Sequence, residues 1–351
     1  MAGVSVAYEL AEHASVVLLE AERSLALHTT GRSAAAYEPA YGPPVIRALT
    51  LASGPRFAEL AARLDTPPLL THRPTLWLGC DDAGVAELEA VCAAGAAEPI
   101  MVDHARRLCP VLVPAAIRTV ALDDTSADLD VMALHQGYVR GLVARGGMIH
   151  SGHPVTAIGR DGAGWTVRAA GTTFTADVLV NAAGAWADRV AELAGVAPIG
   201  IRPLRRTIAI AAGTGPVDPG WPLVVDAVES FYFRPEGGRV LVSPADETPA
   251  EPGDAKPVDL DIALAIERVN EVTTLGLRSV HTAWAGLRSF VEDRLPVVGA
   301  RPDRPGFVYF AGQGGYGIQT APALAAYGAA VALGLPVPAD IDLAAMRLSP
   351  R

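Results

Sequence analysis

Phe307-Val308-Tyr309-Phe310-Ala311 runs straight into Gly312-Gln313-Gly314-Gly315-Tyr316-Gly317-Ile318-Gln319, and an Ala-rich stretch follows to Leu333. Five apolar residues bounded by glycine read as a buried strand. Residues 318–333 read as a helix, so the unit is strand, glycine turn, helix. A helix N-terminus carries unpaired N–H groups and a partial positive charge, and glycines let a ligand approach the backbone. The unit is a candidate anion site. The plainer alternative, a flexible glycine loop, is disfavoured by the strand and helix that flank it.

Two similar units lie upstream. Small residues from Ala2 to Leu10 predict a helix, and Val16-Val17-Leu18-Leu19 reads as a buried strand ending at Glu20. In a dinucleotide fold the helix end faces the pyrophosphate, and an acid closing the second strand bonds the adenosine ribose. By itself a strand ending in Glu is commonplace. In the middle of the chain Val178-Leu179-Val180 leads into Asn181-Ala182-Ala183-Gly184-Ala185-Trp186, where small residues suit either a ligand or a tight packing turn.

Between these units the pattern predicts helices over 45–63, 85–94, 104–109 and 259–275. Another should run from an N-cap at Asp130 to about residue 145. Strands are expected over 75–78 and 206–211, through 155–181 with a turn at Asp161-Gly162, and over 231–242 with a hairpin turn at Pro235-Glu236-Gly237-Gly238. Parallel βα units at both ends and in the middle, with antiparallel segments between, predict an α/β protein of two interleaved domains. A Rossmann-like nucleotide-binding domain would take residues 1–65, 115–205 and 285–351. An α+β substrate domain with a mixed or antiparallel sheet would take 66–114 and 206–284.

The chain has 351 residues, half of them apolar, which is enough for a large core. Its net charge of −10, without a cluster of Lys and Arg, argues against a nucleic-acid partner. No apolar run is long enough to span a bilayer, and the N-terminus lacks the basic region of a signal peptide. Cys80, Cys92 and Cys109 have neither metal-ligand spacing nor a disulfide framework, so no metal is expected and a reducing cytoplasm is the expected location.

Arg288 lies within the apolar strand pattern Trp284-Ala285-Gly286-Leu287-Arg288-Ser289-Phe290. A buried guanidinium needs a partner. That partner can be a structural carboxylate, the commoner case, or the carboxylate of a substrate held by a bidentate fork.

Taken together these motifs resemble the D-amino-acid oxidase family of flavoproteins, and within it the bacterial D-arginine dehydrogenases. The likeness spans nearly the whole chain in six ordered segments: His28-Thr29-Thr30-Gly31-Arg32-Ser33-Ala34-Ala35, Leu134-His135-Gln136-Gly137-Tyr138, the run 181–186, Ser230-Phe231-Tyr232, the run 284–290, and the run 314–320. The resemblance implies noncovalent FAD, since the chain has no Cys after Cys109 to tether a flavin. Gly3, Glu20 and Ala21, then Thr29, Thr30, Gly31, Arg32, Ser33, Ala34 and Ala35 would hold it. Val155 would lie by the adenine, Ala183 and Gly184 at the middle turn, and Gly315, Gly317, Ile318, Gln319 and Thr320 at the flavin pyrimidine. Arg206, Arg288 and Tyr232 would hold the substrate carboxylate, with Tyr41 over the flavin and the Gly315 carbonyl near the amine. The implied reaction moves a hydride from the α-carbon of a D-amino acid to the flavin. An imino acid results, which hydrolyses to a 2-oxo acid and ammonia, and a quinone or dioxygen reoxidises the flavin.

The chain departs from that pattern in four places. Ala36 stands where those dehydrogenases have His, Glu38 where they have Thr, and Thr75 where they have the Glu that binds a guanidinium side chain. Neutral D-amino acids, small to medium or apolar, are therefore expected, with Glu38 the residue that could restore a preference for a cation. Family members also open with a strand and Gly-x-Gly-x-x-Gly, of which only the last glycine, Gly3, is present. A segment upstream of Met1 is expected, because that strand normally lies in mid-sheet and its loss strips hydrogen bonds from its neighbours. Other readings are an amine oxidase of the glycine or sarcosine oxidase kind, a nicotinamide-dependent dehydrogenase, and a truncated flavoprotein that binds without turnover. Flavin absorbance bands near ~370 and ~450 nm separate the flavoenzymes from a colourless protein.

Overall fold

A computed structural model describes residues 1–162 and 164–341, so the end of the expected segment 285–351 lies outside the described residues. The predicted helix Ala2–Leu10 forms and buries Val4, Val6, Ala7, Tyr8 and Leu10. It packs on the helices Ala321–Leu333 and Val131–Ala144. Asp130 caps the latter as expected, its Oδ1 accepting from Ala133 N at 2.8 Å, a contact worth ~1 kcal/mol.

The parallel layer is in two pieces. Val17–Leu19 pairs in parallel with Met148–His150. Leu179–Asn181 pairs in parallel with Phe307–Ala311, which also pairs antiparallel with Val297–Ala300. The strand Val17–Leu19 and residues 178–181 line one large cavity. A three-stranded antiparallel sheet, Val155–Asp161, Gly164–Ala169 and Thr172–Ala176, stands beside them with Gly162 at φ +57° in its first turn.

Among the described residues, nine strands build the second sheet. Its spine is the pair Arg202–Ala212 and Ser279–Phe290, in register with Arg206 opposite Gly286 and Leu204 opposite Arg288. The expected hairpin is Tyr232–Glu236 with Arg239–Ser243, and both turn glycines have positive φ. Thr75–Gly79 runs parallel to Leu223–Asp226 and antiparallel to Thr119–Asp123. The expected boundary at 114/115 therefore falls short of the sheet, and the one at 284/285 cuts through a strand.

Side chains alternate across this sheet, as strand geometry requires. Leu76, Leu78, Val224, Phe233, Val240 and Val242 pack on Ala265 and Val269 of the helix Asp259–Val272. Trp77, Ile208, Leu223, Val225 and Tyr232 form the opposite face, towards the cavity.

Candidate active site

The large cavity has a volume of about 1700 Å³, more than the ~300–1,000 Å³ of a pocket for one small ligand. One end is set by Glu20. Its backbone N–H bonds His150 O at 2.9 Å, and its Oε1 accepts from Glu22 N at 3.0 Å. Glu22 Oε1 lies 2.8 Å from His28 Nε2, and the His28 ring stands 4.8 Å from that of Trp186.

Most of the expected cofactor residues are on the cavity wall: Gly3, Glu20, Ala21, Thr29, Thr30, Arg32, Ser33, Ala34, Ala35, Val155, Ala183, Gly184, Gly315, Gly317, Ile318 and Gln319. Two expectations need correction. Gly31 is exposed, and a side chain there would meet Ala26 O at 2.9 Å, so it serves a tight turn. Thr320 is fully buried and gives its hydroxyl to Tyr316 O at 2.8 Å, closing the turn before the helix Ala321–Leu333. That helix starts later than the sequence suggests, and Ile318 and Gln319 belong to the turn. Arg32 lines the wall, but its guanidinium is spent on Ala255 O, Ala285 O and Asp254. Gly184 sits at φ +56° with open space around it, a conformation that favours glycine.

Among the buried polar atoms of wall residues that have no partner among the described residues are Gln313 Nε2 in the glycine turn and the Tyr232 hydroxyl on the second sheet, together with ring nitrogens of His28, Trp77 and Trp165. A buried donor left unpaired costs ~1–3 kcal/mol, so Gln313 Nε2 and the Tyr232 hydroxyl each call for a ligand atom. Gln313 was missed from the sequence, although it is a polar amide inside the motif that decides the fold.

The other end of the cavity gathers Tyr41, Arg206, Tyr232, Arg288 and Gly315, all five of the expected substrate residues. Arg288 donates from Nη1 to the Tyr41 hydroxyl at 3.1 Å, and Tyr41 donates to Glu229 Oε2 at 2.9 Å. Burial works against the Arg288 charge, but Tyr41, Tyr232 and Glu229 outweigh it and hold the guanidinium protonated. Burial first, and Glu229 as well, keep the Tyr41 hydroxyl protonated. No carboxylate pairs with Arg288 among the described residues.

Gly315 is required here, since a Cβ would lie 2.6 Å from Arg288 Cζ. Arg206 is partly spent: Nε donates to Asp246 O at 2.9 Å and Nη2 to Glu247 Oε1 at 3.3 Å. Burial of Glu247 is more than offset by its bonds from Arg294, so its pKa is lowered and it stays ionised.

Thr75, expected to shape the pocket, does not reach the wall. Trp77, two residues along the same strand, does. Glu38 and Glu229 also line the cavity. Burial, with Asp123 and Glu229 adding, pushes the Glu38 carboxyl up to about 8, against the pull of Arg288.

Residues 1–331 match the family model described as FAD dependent oxidoreductase. The chain belongs to this family. It is 36% identical over 170 residues to FAD-dependent oxidoreductase domain-containing protein 1 of Bos taurus, a match covering 42% of this chain and 34% of that protein. It is 26% identical over 162 residues to glycine oxidase of Geobacillus kaustophilus, covering 46% and 42%. These matches span less than half of either relative.

Two solved structures show the fold. L-proline dehydrogenase from P. horikoshii superimposes with a TM-score of 0.85 at 17% identity, over 99% of this chain and 93% of that one. Glycine oxidase from Geobacillus kaustophilus gives 0.84 at 20% identity, over 99% and 95%. The interleaved α/β architecture read from the sequence is the one these enzymes share. FAD is the family's cofactor, and the wall fits it: Glu20 for a ribose, the turn glycines for close approach, and Gln313 as a free donor. When bound, FAD supplies a two-electron acceptor.

Proposed function

We propose that the protein oxidises the α-carbon of a neutral D-amino acid, small to medium or apolar, to an imino acid that hydrolyses to the 2-oxo acid and ammonia. The observation that carries this is Arg288, a desolvated cation on the cavity wall whose hydrogen bond goes to a neutral hydroxyl. An unpaired charge in such a place is costly, and a substrate carboxylate removes the cost. Tyr232, with its unpaired hydroxyl, supplies a second donor to that carboxylate.

Held there, the substrate extends along Trp77, Ile208, Leu223 and Val225, an apolar surface. Fixing the carboxylate orients the Cα–H bond, so these residues act by positioning. The resemblance of six ordered segments to the D-arginine dehydrogenases supports the D configuration. Ala36 on the wall in place of a histidine, Thr75 in place of a guanidinium-binding acid, and Trp77 on the wall beside it support a neutral side chain.

Likeness to glycine oxidase, a protein named for acting on glycine, favours a second reading in which a small amine is oxidised. Three free thiols, Cys80, Cys92 and Cys109, suit the reducing cytoplasm in which we place the enzyme. Anaerobic bleaching of the flavin against D- and L-amino acids, glycine and sarcosine tests these readings. Fastest bleaching is expected with neutral D-amino acids. A best rate with glycine or sarcosine selects the second reading, and an unbleached flavin overturns both.

A further inference from the structure

We propose that Glu38 is a catalytic residue, the acceptor of the proton that the substrate's ammonium group must lose; this rests on the amino-acid reading above. Glu38 follows the strand Ala36–Tyr37, and its backbone is pinned on both sides. Its N–H donates to Gln319 Oε1 at 3.1 Å, and its carbonyl accepts from Tyr41 N at 3.1 Å. Gln319 is anchored in turn, donating from Nε2 to Thr50 Oγ1 at 2.9 Å. One short turn thus presents Glu38 and Tyr41 to the same end of the cavity.

The carboxyl of Glu38 makes no hydrogen bond among the described residues, although charged groups face it from three elements. Asp123, from Thr119–Asp123, is already bonded by Thr125 and Ser126. Glu229, from the turn after Leu223–Asp226, is bonded by Tyr41. Arg288 faces it from Ser279–Phe290 and is left for the substrate carboxylate. An amino acid bound to Arg288 places its ammonium group beside that carboxylate. Glu38 is the acid at this end whose carboxyl accepts no hydrogen bond from the described residues, whereas Glu229 accepts one from Tyr41.

The chemistry needs such a group. A C=N bond forms only if nitrogen has a lone pair to give, and an ammonium has none. In the first step an N–H bond breaks, the proton passes to the Glu38 carboxylate, and the electron pair stays on nitrogen. In the second the Cα–H bond breaks and its hydrogen leaves with both electrons to oxidised FAD, while the nitrogen pair closes the C=N bond. A base works best when its proton affinity lies near the working pH. Glu38, raised to about 8, meets that condition, whereas His135 on the same wall is lowered to about 4 by burial and the chain's terminal amine.

The test uses the FAD-loaded protein and the amino acid that bleaches it fastest. The bleaching rate is followed from pH 6 to 10 for wild type, Glu38→Gln and Glu38→Asp. Glu38→Gln is expected to be slower at pH 7 by about 100-fold, within the range of general-base catalysis. Its rate should climb with pH towards wild type as the amine loses its own proton. Glu38→Asp should recover part of the rate at pH 7. Binding of benzoate, which has no amine, is expected to match wild type within about twofold, because it engages Arg288.

An equal loss at every pH overturns the proposal and leaves a structural role. So does an unchanged pH profile with a changed preference between D-Lys and neutral substrates, which makes Glu38 a reader of side-chain charge. If Glu38→Gln does not retain FAD, the pH profile of Glu38→Asp decides on the same criteria. A wild-type flavin that no amino acid bleaches overturns the underlying reading as well.

Discussion

Replacing Arg288 by Ala separates a substrate anchor from a structural cation. The guanidinium donates one bond, to Tyr41, and has no carboxylate partner among the described residues, so a fork of N–H groups is free for a ligand. Losing a charge-assisted contact to a desolvated anion costs on the order of 2–5 kcal/mol, which at ~1.4 kcal/mol per decade is roughly 30- to 5,000-fold in kcat/KM. Arg206 cannot readily take over, because Asp246 O and Glu247 already hold it. The expected loss is therefore in the upper half of that range, roughly 300-fold or more. Stability should move the other way. Removing a desolvated charge that lacks an ion partner leaves the Tyr41–Glu229 bond intact, so Tm is expected to hold or rise. The assays are kcat/KM at full FAD content and a thermal melt. A kcat/KM close to wild type removes Arg288 from the site, and a marked fall in Tm shows that the cation was structural.

Among substrates, neutral D-amino acids should give the highest kcat/KM, and a best value with D-Arg or D-Lys would contradict the apolar wall of Trp77, Ile208, Leu223 and Val225. Gly315→Ala puts a methyl 2.6 Å from Arg288 Cζ, and a displaced guanidinium should lower kcat/KM by about 100-fold; unchanged kinetics would refute the fit described for that turn. Asp188→Ala leaves Ile199 N and Ile201 N, each bonded at 2.8 Å, without their acceptor, and should cost on the order of 1–3 kcal/mol in urea unfolding while sparing kcat. Glu38 is raised to about 8 in the folded protein, so below the ordinary carboxylate pKa it is protonated in both states, and its stability contribution falls as pH rises towards 8. Glu38→Gln should accordingly gain Tm over wild type between pH 5 and 9, and a constant Tm difference would show that Glu38 is not the buried acid described.

What could be read from the sequence was whatever local chemistry decides. The Asp130 cap, the Asp161-Gly162 and Gly237-Gly238 turns and the apolar strand Phe307–Ala311 each rest on neighbours within a few residues, and each forms as expected. The depth of a residue along its strand is a different matter. Thr75 and Trp77 share a face by the two-residue period, yet Trp77 reaches the cavity and Thr75 does not. Their sheet neighbours Leu223 and Val225 come from far down the chain, so the surroundings of each position are not written in its local sequence. Arg206 shows the same limit. The family resemblance implied a carboxylate anchor, but Glu247, 41 residues later, occupies part of its guanidinium.

The charges left over after pairing decide what the site can hold. Glu247 is shared by Arg206 and Arg294, Asp123 is capped by two hydroxyls and a backbone N–H, and Glu229 is held by Tyr41. Among the described residues Arg288 remains as a cation without an ion partner, and Glu38 as an acid whose carboxyl accepts no hydrogen bond. They do not satisfy each other, because Tyr41 holds the guanidinium while Gln319 and Tyr41 fix the Glu38 backbone. A ligand with a single charge would relieve one of them and leave the other buried. A zwitterion, with carboxylate and ammonium on adjacent atoms, relieves both at once, the carboxylate on Arg288 and the ammonium towards Glu38. That complement favours a free α-amino acid over a simple amine, and over a carboxylic acid without nitrogen.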